Sequence, residues 1–293
     1  MHVFVTGATG WVGAAVVDEL LAHGHEVTGL ARSEAKASAL AAKGVRPVIG
    51  SLENPAVLAD AAQNADAVAH LAFNHDFSRF AESAQEDRQA IEALGAALSG
   101  TRKPLLITAG LALLAPGRVA VESDRPITDP SYPRRSEQAA AALVEAGLRV
   151  TIVRLAPSVH GLGERHGFVP ILIDMALRTG VSAYVGDGEN RWPAVHVSDA
   201  GRLYRLALES DLTEPAYHAA AEEGVRFRDI AQAIGDKLGL PVEPREPEHF
   251  GWFAGFAGGD MPASNALTRD RLGWTPTGPS LLSDIRHPDY YAG

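Results

Sequence analysis

Cysteine is missing altogether from the 293 residues. That removes disulfides, thiolate nucleophiles and cysteine-ligated metals together, and it suits a cytoplasmic protein. Lysine is scarce: Lys36, Lys43, Lys103 and Lys237 are the only four. No apolar run approaches the roughly 20 residues needed to cross a bilayer. The first apolar run begins at His2, which leaves no room for a secretory leader, so no membrane attachment is expected. Positive charge is also short, with 26 Lys and Arg against 36 Asp and Glu, a net charge of -10. General nucleic-acid affinity needs clustered cations, so no nucleic-acid partner is expected. The histidines stand at no metal-ligand spacing and have no cysteine partner, so no metal is expected either.

What is present is an alternation. Short β-branched runs at Val3–Val5, Glu26–Leu30, Arg46–Ile49, Ala67–Leu71, Leu105–Thr108 and Arg149–Arg154 are separated by longer segments. Helical patterns cover Trp11–Leu21, Glu34–Lys43, Glu82–Leu98 and Ser136–Ala146. Alternation of this kind predicts βαβ units and a parallel sheet. The fold class is therefore α/β: a Rossmann-type doubly wound sheet. After Arg154 the pattern changes, with Pro, Gly and His frequent between residues 157 and 170. Two more helices are expected at Val169–Leu177 and Ser198–Leu208, with short strands near Tyr184, His196 and His218. The division expected is 1–155 for a nucleotide-binding domain and 156–293 for a smaller substrate lobe interleaved with the end of the sheet. Segments 112–134 and 246–264 show no clear period and read as loops near a site.

The first strand runs straight into Thr6-Gly7-Ala8-Thr9-Gly10-Trp11-Val12-Gly13, and a helix follows. The N–H groups of a helix N-terminus suit a phosphate, and glycines permit a tight turn and close approach of a pyrophosphate. Gly7, Gly10 and Gly13, with Thr9, Trp11 and Val12 between them, are the predicted dinucleotide turn. The second strand selects the cofactor. A carboxylate at its end would bind a ribose 2′-hydroxyl, but this strand ends in Ala31-Arg32-Ser33. Arg32 offers a planar fork matched to a phosphate, Ser33 a hydroxyl, and Lys36 lies nearby. NADP is the expected cofactor. The alternative is a solvated Arg32 and a site that accepts NAD as well.

An ordered series of motifs resembles the short-chain dehydrogenase/reductase superfamily, in its extended branch of NAD(P)-dependent epimerases and dehydratases. The glycine turn is similar to that branch's glycine motif. Gly50-Ser51-Leu52 resembles its adenine-contacting Gly-Asp-Leu. His70-Leu71-Ala72-Phe73 resembles the fourth-strand stretch beside the cofactor. Arg154-Leu155-Ala156-Pro157-Ser158-Val159-His160-Gly161 resembles the segment lining the nicotinamide. Val195–Ala200 and Leu272–Pro276 match two further motifs, so the resemblance runs from residue 1 to about 286. It implies cofactor contacts from Ser51, Leu52, Leu71, Ala72, Phe73, Thr108, Pro157, Ser158 and Val159. It also implies a homodimer through the helices after the fourth and fifth strands.

The departure lies at the catalytic group, which in the family is a Tyr, a Lys four residues on, and a Ser or Thr after the fifth strand. No lysine occurs between Pro104 and Asp236. Tyr132 is in the right region, but the residue four on is Ser136. Anchoring on Glu137 instead puts Asp129 and Pro133 at the two positions. The match is to the atypical members that keep the cofactor site and lose the usual pair. Three residues remain as catalytic candidates. Tyr132 could have its phenol pKa lowered by Arg134 or Arg135; otherwise it is a loop tyrosine. His160 is an imidazole, a group suited to proton exchange at neutral pH, and occupies the place of a family Tyr; otherwise it packs or touches substrate. Thr108 is the only hydroxyl in Thr108-Ala109-Gly110-Leu111, where the fifth strand ends. His75 and His166 are weaker candidates. His196 reads as structural, Asp199 as the cap of a helix beginning near Ala200, and Arg191 and Trp192 as either a pocket rim or an ordinary turn.

The function expected is an NADP(H)-dependent oxidoreductase acting on a small carbonyl or hydroxyl substrate. The first alternative is a non-catalytic NADP-binding sensor or regulatory protein. The second is a nucleotide-sugar epimerase or dehydratase, whose chemistry leans on the missing Tyr-Lys pair.

Overall fold

Strand β1 (His2–Thr6) is buried from its second residue to its last, as a strand covered on both faces must be. The chain then runs through α1 (Trp11–Ala22), β2 (Glu26–Ala31), α2 (Glu34–Ala42), β3 (Arg46–Ile49), α3 (Pro55–Gln63), β4 (Ala67–His70) and α4 (Phe80–Leu98). It continues through β5 (Leu105–Gly110), α5 (Ser136–Glu145), β6 (Val150–Leu155), β7 (Ser158–His160), α6 (Phe168–Thr179), β8 (Ser182–Val185), β9 (Arg191–His196) and α7 (Val197–Glu209). The last elements are β10 (Ala216–Ala219), β11 (Glu222–Arg226), α8 (Phe227–Leu238), β12 (Val242–Arg245), α9 (Ala254–Ala257), α10 (Ala266–Leu272) and α11 (Leu281–Arg286). This computed structural model describes residues 1–126, 133–210 and 214–291.

Seven strands form one sheet in the order β10-β6-β5-β4-β1-β2-β3. The pairings of β1 with β2 and β4, of β2 with β3 and of β4 with β5 are all parallel. The order reverses between β1 and β4, and such a switch point is where open α/β sheets bind ligands. One face is covered by α3, α4 and α5, whose Leu58, Ile91, Leu94 and Ala140 pack with Phe4, Leu30, Val68 and Ile107 of the sheet. The other face carries α1, α2 and α7. A Cβ on Gly29 would touch Leu40 of α2, and one on Gly201 would lie 2.8 Å from the Ala15 carbonyl oxygen of α1. The sheet is thus doubly wound, as expected.

Two compact units result. One comprises residues 1–109, 125–153 and 200–217; the other comprises 110–124, 154–199 and 218–293. The chain therefore exchanges more segments than a single break after residue 155 would give. Residues 200–217 return to the first unit because α7 leads into β10, the sheet's edge strand. Residues 110–124 belong to the second because the Glu122 carboxylate accepts from the Thr268 backbone and hydroxyl, each at 2.8 Å.

The second unit is built on the antiparallel pair β11–β9, with β7 parallel to β9. Its core includes Trp192, Phe227, Phe250 and Phe253. Segment 246–264, expected as loop, contains a 3-10 turn over Pro247–Phe253, kinked at Gly251, and then α9. Its glycines break any period, while Phe253 and Phe256 stack with Phe168 at 5.0 and 4.8 Å. Among the described residues no helix is long and apolar enough to cross a membrane.

Candidate cofactor site

In the first unit the glycine turn leaves β1 at the carboxyl edge of the sheet. Gly7 has φ +69°, in the left-handed region that glycine tolerates. A Cβ on Gly7 would stand 2.8 Å from the Ala72 backbone nitrogen, and one on Gly13 would stand 2.0 Å from the Gly7 carbonyl oxygen. The Gly10 N–H donates to the Gly7 carbonyl at 2.8 Å and closes the turn. Gly10 is also the N-cap of α1; no side chain caps that helix and no acid lies in its first turn. An uncapped helix start with its positive dipole end suits an anion. Thr9, Trp11 and Val12 are half-buried on the same turn.

Arg32 is exposed just beyond β2, and no described carboxylate pairs with its guanidinium. Ser33 caps α2 by accepting from the Lys36 N–H at 3.4 Å, so its own proton remains available. Ser51 is held by Asn54, whose Oδ1 accepts from the Ser51 N–H at 2.9 Å and from its hydroxyl at 3.1 Å. Leu52 packs on the core edge. The narrow glycine cradle and the uncapped helix fit a dinucleotide.

Behind the turn lies a buried polar network that sequence reasoning missed. Thr6 Oγ1 accepts from the Leu71 and Ala72 N–H groups, each at 3.1 Å, and faces His70 Nδ1 at 2.9 Å. With two N–H groups already on its oxygen, Thr6 gives its proton to Nδ1, and His70 carries its own proton on Nε2. That proton points at Asp87 Oδ1, 3.1 Å away, while Asp87 Oδ2 accepts from Ser136 at 2.5 Å. Burial pushes the Asp87 carboxyl up, but His70, Arg134 and Ser136 together outweigh it and hold the group below the usual carboxylate range. Arg134 donates from Nε to Ser136 Oγ and from Nη2 to the Thr108 carbonyl, both at 2.9 Å. Its guanidinium lies over the Phe73 ring, 4.1 Å from the centroid. The one sequence signal was an acid, Asp87, within the apolar stripe Ala84, Ala90, Ile91, Leu94 of α4.

The structure places Thr108 inside this network. Its hydroxyl donates to the His70 carbonyl at 2.8 Å and so accepts from Tyr204 at 2.6 Å. Burial drives the Tyr204 phenol well above its ordinary pKa. His75 contacts Phe73 edge-on at 5.2 Å. Surrounding protein, and then the Arg134 charge, lower its pKa although part of its surface stays exposed. Tyr132 lies outside the described residues, as does Asp129.

The second unit holds the other singled-out residues. Pro157 and Val159 are half-buried, and the Ser158 hydroxyl is fully buried with no hydrogen-bond partner among the described residues. His160 is fully buried; its Nδ1 pairs with Asp284 of α11 at 2.6 Å, and its Nε2 has no hydrogen bond among the described residues, the Glu222 carboxylate standing 3.8 Å away. The β7–β9 register sets His160 beside His196, ring centroids 5.6 Å apart. Burial lowers the His196 pKa, opposed by Asp284. His166 shows no interaction that brings it to this cluster.

Two expectations need correction. Asp199 does not cap α7, which begins at Val197. Its carboxylate accepts instead from the Thr277 N–H at 3.0 Å and the Gly278 N–H at 2.8 Å. Trp192 does not rim a pocket: strand alternation turns it into the core, where its indole N–H reaches the Phe256 carbonyl at 3.0 Å. Arg191, next along the strand, forms a fork with Asp260 at 3.0 and 2.9 Å. Arg154, from the motif before Pro157, is buried too and donates to the Asp124 carbonyl at 2.7 Å.

Comparisons with known proteins agree with this geometry. Residues 7–164 match the family described as NAD(P)H-binding. An uncharacterized protein of Schizosaccharomyces pombe is 43% identical over 99% of this chain and 100% of its own. A 4-hydroxy-2-methyl-3-oxo-4-farnesyl-3,4-dihydroquinoline-1-oxide ketoreductase of Stigmatella aurantiaca is 27% identical over 83% of this chain and 75% of its own. A dTDP-glucose 4,6-dehydratase of Streptomyces venezuelae, solved with NAD bound, superposes with a TM-score of 0.80 over 100% of this chain and 97% of its own at 20% identity, a likeness of fold. The chain belongs to the NAD(P)H-binding family, and with its glycine turn and seven-stranded sheet it is a member of the extended short-chain dehydrogenase/reductase and epimerase group.

Proposed function

We propose that this protein is an NADP(H)-dependent oxidoreductase acting on a small carbonyl or hydroxyl substrate. The observation that carries the reading is Arg32: a guanidinium with no described carboxylate partner, placed where β2 ends, beside the free proton of Ser33. Within the family, the ketoreductase named above supports carbonyl chemistry.

In this reading Gly7, Gly10 and Gly13 receive the pyrophosphate at the start of α1, with Thr9, Trp11 and Val12 around it. Arg32 and Ser33 bind the 2′-phosphate, and Ser51 and Leu52 border the adenine. Leu71, Ala72 and Phe73 form a wall on the β4 side, Thr108 holds β5 to that wall, and Pro157, Ser158 and Val159 line the nicotinamide. When bound, the cofactor supplies or accepts a hydride at its nicotinamide. Tyr132 and His160 are the two proton donors proposed. Asp284 would orient the His160 ring, in the manner of a carboxylate-oriented imidazole.

The test is to titrate the protein with NADPH and NADH by fluorescence, and then to follow nicotinamide absorbance with a panel of aldehydes, ketones and quinones. Preferential NADPH binding and turnover of one class are expected. Tight NADPH binding with no turnover on any class would replace this reading with the non-catalytic one.

A further inference from the structure

The site has lost its lysine, yet a cation still stands at the edge of the sheet. Arg134 sits two residues before α5, on the carboxyl side of β5, with its guanidinium flat on Phe73. Two of its three nitrogens are spoken for: Nε by Ser136 and Nη2 by the Thr108 carbonyl. Nη1 makes no hydrogen bond to any described residue. The anchor continues inward from Ser136 through Asp87 and His70 to Thr6 at the head of the glycine turn. His70 and Asp87 are each 1% exposed, so the chain behind the guanidinium is dry and fixed.

A buried carboxylate is costly unless paired, so a structure that keeps one uses its charge. Asp87 pairs with His70 Nε2 and touches no Arg or Lys directly among the described residues. Its charge reaches Arg134 through one serine hydroxyl, and the Phe73 face holds the guanidinium plane from the other side. A planar cation held at two nitrogens and a ring has little freedom left, and its third nitrogen is fixed along with them. Preorganised donors of this kind stabilise charge that develops on an oxygen.

We propose that Arg134 is the electrophile of this site: its Nη1 N–H groups bind the substrate's carbonyl oxygen, with Ser136 and Asp87 as positioning residues. As hydride adds to the carbonyl carbon, the π pair moves onto oxygen. Nη1 stabilises that oxyanion, which then takes a proton from the proton donor of the proposed reaction. The carbonyl is reduced, the reduced nicotinamide is oxidised, and Arg134 itself exchanges no proton. The same contact receives the oxygen of an alcohol in the reverse direction. This inference rests on the oxidoreductase reading given above and adds the group that replaces the lysine.

The test uses the full chain and Arg134→Met, Arg134→Lys and Asp87→Asn. Each is titrated with NADPH by fluorescence. Each, saturated with NADP+, is then titrated calorimetrically with acetate and benzoate, carboxylates that mimic the oxyanion. Turnover on the best carbonyl of the panel is followed against pH. Arg134→Met is expected to bind NADPH within about threefold of wild type, since that affinity rests on other residues, and to lose about tenfold or more in carboxylate affinity. Its kcat should fall about a hundredfold, with a smaller change in KM. Arg134→Lys should regain part of that kcat and acquire an alkaline loss absent from wild type, because an ammonium titrates and a guanidinium does not. Asp87→Asn should lower kcat with NADPH affinity retained. Unchanged carboxylate affinity and kcat in an Arg134→Met protein that still binds NADPH would overturn the proposal alone. A wild-type protein that binds no NADPH would overturn the underlying reading and the proposal with it.

Discussion

Gly13 approaches Gly7 so closely that a Cβ on Gly13 would stand 2.0 Å from the Gly7 carbonyl oxygen. No rotamer relieves that contact, because both atoms are backbone-fixed. Gly13→Ala must therefore push α1 away from the turn. The expected result is loss of measurable NADPH binding, read by fluorescence titration. Gly7→Ala adds left-handed strain of about 1–3 kcal/mol and a contact with the Ala72 nitrogen, so it should also lower the melting temperature.

Arg32→Ala tests cofactor choice. A charge-assisted fork on a 2′-phosphate is worth about 1.5–3 kcal/mol, so NADPH affinity should fall about tenfold to a hundredfold while NADH affinity stays put. An unchanged NADPH/NADH ratio would show that the guanidinium is merely solvated.

Asp87→Ala leaves His70 and Ser136 facing a void. Removing one member of a buried charged network costs about 3–5 kcal/mol, to be read from denaturant midpoints. The carboxyl is held below its ordinary value in the folded chain. The unfolded chain therefore takes up the proton first, at about pH 3.9. The stabilisation is fully present above that pH and is lost as pH falls from there toward the depressed folded value. The variant should show a flatter acid limb than wild type.

Glu164 runs the other way. It is 6% exposed, hydrogen-bonded by the Tyr290 hydroxyl and packed under Gly167, and burial pushes its carboxyl up to about 7. The unfolded chain releases that proton at about 4.3, so the folded state binds more protons between the two values. Stability should then fall as pH rises from about 4.3 to about 7, by on the order of 3 kcal/mol, and level off above. Glu164→Gln should abolish this slope and match or exceed wild-type stability at pH 8. Melting curves at pH 5 and 8 decide it; a wild-type protein equally stable at both would contradict the assignment.

What could be read from the chain were features written within a few neighbouring residues. The strand, turn and helix of residues 2–22 are contiguous, and their φ requirement shows directly as Gly7. The end of β2 is likewise local, so Arg32 and Ser33 were visible as a pair. What could not be read were partnerships across long separations. Asp87 meets residues 17 and 49 positions away, and His160 meets Asp284 across 124. A period of 3.6 marks Asp87 as facing the core but says nothing about who waits there. Trp192 fails for a related reason. Gly188, Asn190 and Pro193 read as turn chemistry, but pairing of β9 with β11 and β7 makes the segment a strand and sends the indole inward. Asp199 looked like a cap because the helix was expected to begin just after it, near Ala200, whereas α7 begins at Val197. Its actual acceptors serve Thr277 and Gly278, which only the fold brings near.

The seven-stranded sheet takes its edge strand, β10, from a part of the chain that follows the first two of the second unit's three segments. Ribosomal synthesis thus delivers the glycine turn almost first and the strand that closes its sheet only near residue 217. Nascent β6 must wait with one edge unpaired while β7 to β9 are made. An expressed fragment ending at residue 155 would carry every cofactor residue of the first unit and still lack both α7 and β10. It should aggregate through that open edge rather than behave as a small stand-alone binder.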